Sequence, residues 1–225
     1  MKLLFFGREE CHYSHLLRFM LQDLSAEVTC VLSGQKPELD VLEGLSEWTG
    51  DYIVSFRSRV ILPPWLLQRA NSCAVNFHPG PPEYPGSGCV NWALYDERSE
   101  YGVTAHLMDA RVDSGAILRV HRFPIAPHHS VADVLLRTHA ELFLLAHSFL
   151  SFIRTSPADE LYAWATSSDE RWSGSPRPLS SLDALQTIDP VSISPQELSR
   201  VIRATKFGPY GPRIVLHGVN FVLPS

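Results

Sequence analysis

Lys2-Leu3-Leu4-Phe5-Phe6-Gly7 opens the chain with a short apolar run that ends at glycine. A run without polar alternation suits a strand buried on both faces. Downstream, Ser14 to Leu21 has apolar residues at 16, 17, 19, 20 and 21, which predicts a helix with Ser14 as its N-cap. Ala26 to Leu32 is apolar and β-branched and predicts a second strand. Pro37 to Trp48 places Leu39, Leu42 and Leu45 at helical spacing. Tyr52 to Phe56 predicts a third strand, Pro63-Pro64 a short helix, and Cys73 to Phe77 a fourth strand. Strands alternating with helices imply an α/β domain.

The remainder completes that layout. His78 to Gly88 holds four prolines and three glycines in eleven residues, a rigid loop. Gly88 to Glu97 can form a helix. Val103 to Met108 and Ala116 to Phe123 read as strands, joined by a turn at Asp113-Ser114-Gly115. Ser130 to Ile153 predicts a long helix, with Ser130 as N-cap and Asp133 in its first turn. Thr155 to Pro190 is rich in Ser, Pro and Asp. Ser194 to Arg203 predicts a short helix capped by Ser194, and Ile214 to Leu223 a hairpin turning at His217-Gly218. The expected architecture is a Rossmann-like, mostly parallel sheet with helices on both faces, plus a small C-terminal helix-hairpin extension. The expected divisions are a core domain at 1–155, a linker at 156–190 and the extension at 191–225. Ligands of such sheets bind at the carboxyl ends of the strands.

Composition narrows the function classes. The chain has 225 residues, 45% hydrophobic and 19% charged, which is ordinary for a folded chain. Its formal net charge is −5 and its only lysines are Lys2, Lys36 and Lys206. A nucleic-acid partner is not expected, because phosphate binding needs a basic face. Cys11, Cys30, Cys73 and Cys89 form no CxxC pair and read as reduced thiols. The opening apolar run is too short for a signal peptide or a membrane span. Glu141 to Ile153 is interrupted by His147 and Ser148, and reads as a buried helix. A cytoplasmic location is expected, with no membrane partner.

Two segments concentrate chemistry: Val75 to Gly86 and Gly102 to Gly115. In the first, Asn76 and His78 flank Phe77 at a strand end, so both polar side chains share one face. A neutral histidine can accept a proton near pH 7, and an asparagine amide can donate to a developing oxyanion. In the second, Asp113 sits in a turn where a carboxylate can orient and charge-stabilise His78. On spacing alone, Asn-x-His is equally a hydrogen-bonded histidine at a strand end, and Asp-Ser-Gly an ordinary turn. His78, His106, Asp109 and Asp113 show no HxxxH or HxH spacing, so no metal is expected.

Taken together, Asn76-Phe77-His78-Pro79, Glu83-Tyr84-Pro85-Gly86, Gly102-Val103-Thr104 and Val112-Asp113-Ser114-Gly115 resemble, in order and separation, the formyltransferases that use 10-formyltetrahydrofolate. The resemblance covers roughly residues 1 to 155. It implies Asn76, His78 and Asp113 as catalytic positions: oxyanion stabiliser, general base and orienting carboxylate. It implies a folate site at Arg59, Val60, Ile61 and Leu62 and at Leu107, Met108, Asp109 and Val112. Plain core packing remains the competing reading for Val60, Ile61 and Leu62. Among acceptors, the loop at 78–86 and the Ile202 to Gly211 piece resemble most the N-formyltransferases of nucleotide-linked amino sugars. That resemblance implies Arg8, His12, Tyr84 and Gly86 as substrate-binding residues and a homodimer. Glycinamide ribonucleotide is a weaker match, because Glu9 and Glu10 stand where phosphate would lie. Methionyl-tRNA is weaker too, because the chain is short and acidic. A non-catalytic folate-binding protein is the reading from another class.

Overall fold

The structure is a computed structural model that describes residues 1–23, 27–34, 39–156, 160–165 and 169–223. Its centre is a six-stranded sheet in the order β2-β1-β3-β4-β5-β6, formed by β1 (Lys2–Arg8), β2 (Glu27–Ser33), β3 (Gly50–Phe56), β4 (Ala70–His78), β5 (Glu100–Leu107) and β6 (Ile117–Pro124). β2, β1, β3 and β4 run parallel, and β5 pairs antiparallel to β4. The expected mostly parallel Rossmann-like sheet is therefore present. Leu3, Leu4, Phe5 and Phe6 are all fully buried, as the unbroken apolar run requires. On one face, Leu4, Phe6, Ile53 and Ala74 pack with Leu45, Trp48, Leu62 and Leu66. On the other, Phe149 of the long helix α4 (Val131–Thr155) meets Tyr52 and Phe77, at ring separations of 6.2 and 5.8 Å.

The chain divides into two compact units that interleave in sequence: 1–79 with 103–121 and 139–172, and 80–102 with 122–138 and 173–225. This differs from a linear division at residues 155 and 190. β5, β6 and α4 pass from one unit into the other, because residue 103, residue 121 and residue 138 mark unit edges within them. In the second unit, α3 (Cys89–Tyr95) packs against α7 (Pro195–Thr205). Asn91 donates to the Ala204 carbonyl at 2.7 Å, and Arg200 lies 4.4 Å over the Tyr95 ring. The hairpin β7 (Arg213–Leu216) and β8 (Val219–Val222) turns at His217 and Gly218, both with positive φ. That is the turn chemistry a two-residue hairpin needs.

Several local expectations change. α1 (His12–Asp23) begins before Ser14, so Ser14 is not its cap. The chain turns tightly after β1, with Cys11 N–H donating to Arg8 O at 3.2 Å, and Ser14 is drawn inside, its Oγ accepting from Arg8 N–H at 3.1 Å. The segment expected as a helix at 37–48 holds a 3-10 helix at Leu39–Leu45; residues 37 and 38, like Ala26 at the expected start of β2, lie outside the described residues. Within 156–190, expected as a linker, α5 (Leu161–Trp164) and α6 (Leu179–Gln186) form; 157–159 and 166–168 lie outside the described residues. Leu161 and Trp164 are buried, and Gly86 and Arg177 form a β-bridge, so tertiary contacts order a stretch whose composition reads as loop. The caps at Ser130 and Ser194 do form: Asp133 N–H donates to Ser130 Oγ at 3.3 Å, and Glu197 N–H to Ser194 Oγ at 3.1 Å.

Candidate active site

The first unit builds the site at the carboxyl ends of its parallel strands. Register sets the first contact. In the antiparallel β4–β5 pair, Asn76 stands directly opposite His106 and His78 opposite Thr104. Directly opposed residues share a face at close range, and Asn76 Nδ2 lies 3.1 Å from His106 Nε2. In the parallel β3–β4 pair, Ser55 sits beside Asn76. A row of polar side chains thus crosses three strands just where the central strand ends.

Asp113 joins the row from the turn that follows β5. Its Oδ2 lies 3.2 Å from His78 Nδ1, and its Oδ1 lies 3.4 Å from His106 Nε2 and 3.5 Å from Asn76 Nδ2. The three positions expected to be catalytic are therefore brought together, on one carboxylate. Asp113 adopts positive φ (49°), a conformation aspartate tolerates better than most residues. The turn presses on the end of β5. A Cβ on Gly115 would fall 1.9 Å from the Leu107 carbonyl oxygen, so only glycine fits there.

Hydrogen-bond logic assigns the tautomers. His106 Nδ1 lies 2.8 Å from its neighbour's carbonyl, Leu107 O, and must donate to it. Its Nε2 then carries a lone pair and accepts from the Asn76 amide. Asn76 turns one N–H to His106 Nε2, which fixes which way its amide points; the other lies at a long 3.5 Å from Asp113 Oδ1 and is available to a second acceptor. For His78, Nδ1–H donates to the Asp113 carboxylate, so Nε2 holds the basic lone pair. Both histidine side chains and Asp113 are at least 95% buried. Trp172 packs edge-to-face on His106 and His78, with ring separations of 5.0 and 5.8 Å.

Asn76, His106 and Asp113 form one wall of a cleft in the same unit. Its other walls are Ser55 and Ser58, Arg59 to Leu62, and Met108 to Val112. The cleft has a cavity volume of about 100 Å³ and lies partly open to solvent. Of the residues expected to hold a cofactor, Arg59, Val60, Ile61, Leu62, Met108, Asp109 and Val112 line it. Leu107 does not; it lies on β5 paired with Val75. Ile61 and Val112 are 71% and 54% exposed, which argues against plain core packing at those two positions. Leu62 is buried in the sheet cluster as well.

The expected substrate residues separate. Arg8, at the end of β1, donates through Nε to the Arg57 carbonyl. Burial, reinforced by the neighbouring charges of Arg57 and Arg59, lowers its pKa to about 10. Burial, reinforced by the charges of Arg57 and Arg8, lowers His139 to about 4, so His139 is neutral at pH 7. Glu10, expected to repel phosphate, is ion-paired with Arg59 at 2.5 Å. His12 is exposed at the start of α1. Tyr84 and Gly86 belong to the second unit. Tyr84 is 7% exposed; its hydroxyl donates to Asp96 at 2.8 Å and accepts from Arg98 at 3.1 Å. A buried, doubly bonded tyrosine is a structural element of that unit, which argues against ring stacking on a ligand. Trp92 is likewise buried, under Arg177 at 4.3 Å, as helix packing predicts. Among the described residues, no three His, Cys, Asp or Glu are grouped to hold a metal ion.

Sequence reasoning missed His106 and Trp172 as site residues. The first carried a signal: Thr104 and His106 alternate on β5 as Asn76 and His78 do on β4. The pairing register that opposes them was not legible.

The Rossmann-like sheet thus carries an Asn, His and Asp set at its carboxyl edge. The formyl transferase family model matches residues 32–142. A methionyl-tRNA formyltransferase of Synechococcus sp. is 35% identical over 109 residues, covering 47% of this chain and 34% of its own. A GDP-perosamine N-formyltransferase of Brucella melitensis is 28% identical over 189 residues, covering 78% of this chain and 64% of its own. The chain thus spans between a third and two-thirds of the length of these curated relatives. The fold matches a sugar N-formyltransferase from a Shewanella species with a TM-score of 0.76 at 20% identity, over 99% of this chain and 96% of that one. It also matches a formyltransferase of Anoxybacillus kamchatkensis, solved in complex with UDP-4,6-dideoxy-4-formamido-L-AltNAc and tetrahydrofolate. There the TM-score is 0.60 at 20% identity, over 82% of this chain and 89% of that one.

Asn76→Ala is expected to lower turnover by about 10²–10³-fold, the usual cost of losing one oxyanion donor. The fold should persist, since Asn76 is only half-buried. Steady-state rates beside a circular dichroism melt check this; an unchanged rate removes Asn76 from the role.

Proposed function

We propose that this protein transfers a formyl group from 10-formyltetrahydrofolate to the amine of a nucleotide-linked amino sugar, at the 3- or 4-position of a deoxysugar. The observation that carries this reading is the single Asp113 carboxylate joining His78 and Asn76 at a cleft with an apolar rim. 10-Formyltetrahydrofolate supplies the formyl carbon, and the cleft walls at Arg59 to Leu62 and Met108 to Val112 suit its pterin ring. His78 Nε2 takes the proton that the acceptor amine loses as it bonds to the formyl carbon, and passes it to folate N10 as the bond from N10 to that carbon breaks and tetrahydrofolate leaves. Asn76 donates to the formyl oxygen as that oxygen gains charge. Asp113 keeps His78 in the tautomer that leaves Nε2 basic. No step is assigned to a metal.

The acceptor assignment is supported by the sugar substrate of the Brucella relative and by the length match to the Shewanella protein. The net charge of −5 is unfavourable for tRNA. Arg8, next to Arg57 at the ends of β1 and β3, is suited to meet a diphosphate, with the exposed His12 at the start of α1 as a further candidate. The exposed apolar side chains of the hairpin, including Val215, Leu216, Val219 and Phe221, suit pairing with a second copy of the chain. No described helix is long and apolar enough to cross a membrane, and we place the activity in the cytoplasm.

A second reading, formylation of methionyl-tRNA, is favoured by one observation: the 35% identity over 109 residues. The test is release of tetrahydrofolate from 10-formyltetrahydrofolate with a panel of 3- and 4-amino sugar nucleotides, glycinamide ribonucleotide, methionyl-tRNA and water. Turnover with one amino-sugar nucleotide is expected. Turnover with methionyl-tRNA alone would replace the acceptor. Folate binding without any turnover would leave a binding protein.

A further inference from the structure

We propose that Trp172 is a positioning residue for the reaction at His78, an inference that rests on the formyl-transfer reading. The stretch around it, poor in pattern and rich in Ser and Pro, reads as linker. In the folded chain its indole has three anchors, and each bears on a different part of the site. The ring stands edge-to-face on His106 at 5.0 Å and 89°. It stands edge-to-face on His78 at 5.8 Å and 73°. Its Nε1–H donates to the Gly115 carbonyl at 2.7 Å, two residues beyond Asp113. One side chain therefore braces the base, the histidine that orients the Asn76 amide, and the backbone of the turn that carries the orienting carboxylate.

The physical need is plain. A histidine ring hydrogen-bonded through Nδ1 can still rock about that bond, and an Asp113 turn at positive φ can relax. The indole resists both. Its face or edge limits the tilt of the two imidazoles, and its N–H pins the turn against β5. A phenylalanine could do the first but not the second. Ser173 and Gly174, the next residues, donate to the Pro82 carbonyl at 3.2 and 3.4 Å, which gives the segment its own anchorage. Trp172 is not itself among the residues that line the cleft, so its removal should change how the groups act more than what the protein binds.

Trp172→Ala and Trp172→Phe test this. Trp172→Ala is expected to lower kcat about 10- to 100-fold, the scale of small misplacements in a site, with KM for donor and acceptor nearly unchanged. Trp172→Phe keeps the ring and loses the N–H, and should fall between Trp172→Ala and wild type. Nitrogen-15 NMR of the histidine rings gives a readout independent of turnover. Wild-type His78 and His106 should each show one tautomer, with the proton on Nδ1, and Trp172→Ala a mixture. Should Trp172→Ala fail to fold by circular dichroism, Trp172→Leu keeps the bulk and carries the same readout. Unchanged tautomer signals in the variant overturn the inference whatever the rate, and so does a raised KM at unchanged kcat. A wild-type protein that formylates nothing, yet whose histidines lose their tautomer in the variant, sinks the formyl-transfer reading and leaves the positioning role intact.

Discussion

His78→Ala is expected to lower formyl transfer by about 10²–10⁴-fold, the contribution of a positioned general base. The imidazole is 3% exposed, so nothing in bulk water reaches the same place in its stead. Its Nδ1 is 3.2 Å from Asp113, which leaves Nε2 as the basic nitrogen. The cleft walls formed by Arg59 to Leu62 and Met108 to Val112 do not include His78, so folate affinity should survive. The measurement pairs the steady-state rate of tetrahydrofolate release with calorimetric folate binding. A loss of turnover at constant affinity is the expected pair of results. Turnover within about threefold of wild type would deny His78 any proton-transfer role, since even the weakest positioned bases contribute more.

Asp113→Asn is expected to cost on the order of 10³–10⁴-fold, with little change in shape. The geometry explains why so small a change does so much. Asp113 Oδ2 accepts from His78 Nδ1, and Oδ1 lies within 3.5 Å of both His106 and Asn76. An amide at this place can offer an N–H to His78 Nδ1. The imidazole then moves its proton to Nε2, and the basic lone pair is lost from the side that faces the amine. A wrong tautomer alone costs about 10⁴-fold in the serine protease triad. Turning the amide the other way presents an N–H toward Asn76, which is itself a donor there. The check is kcat together with the nitrogen-15 signature of His78. A variant with the wild-type tautomer and a wild-type rate would show that the carboxylate orients nothing.

Parts of the fold were legible residue by residue. The burial of Leu3 to Phe6 follows from an apolar run without alternation. The caps at Ser130 and Ser194 follow from a hydroxyl three residues before an acid. The hairpin turn follows from His217-Gly218. Such features are local, and their partners lie within a few residues. The failures share a cause as well. Ser14 has the chemistry of a cap, but the tight turn after β1 draws it inside. The stretch 156–190 has the composition of a linker, yet Leu161 and Trp164 are buried and Arg177 bridges to Gly86. Composition reports what a segment can bury alone, not what distant strands offer it.

The catalytic candidates divide the same way. By itself the sequence determined that Asn76 and His78 share one face of a strand end, that Asp113 stands in a turn, and that the chain carries the motifs of a formyl transferase. The first two are matters of period and position, and the third of resemblance to a known family. Only the tertiary structure decided that one carboxylate serves both Asn76 and His78, that His106 stands opposite Asn76 and sets its amide, and that Trp172 covers the pair. Each of these depends on strand register and on chain closure over long separations, from 76 to 113 and from 115 to 172. Register is set by which faces the whole sheet must bury, a balance struck across all its strands at once.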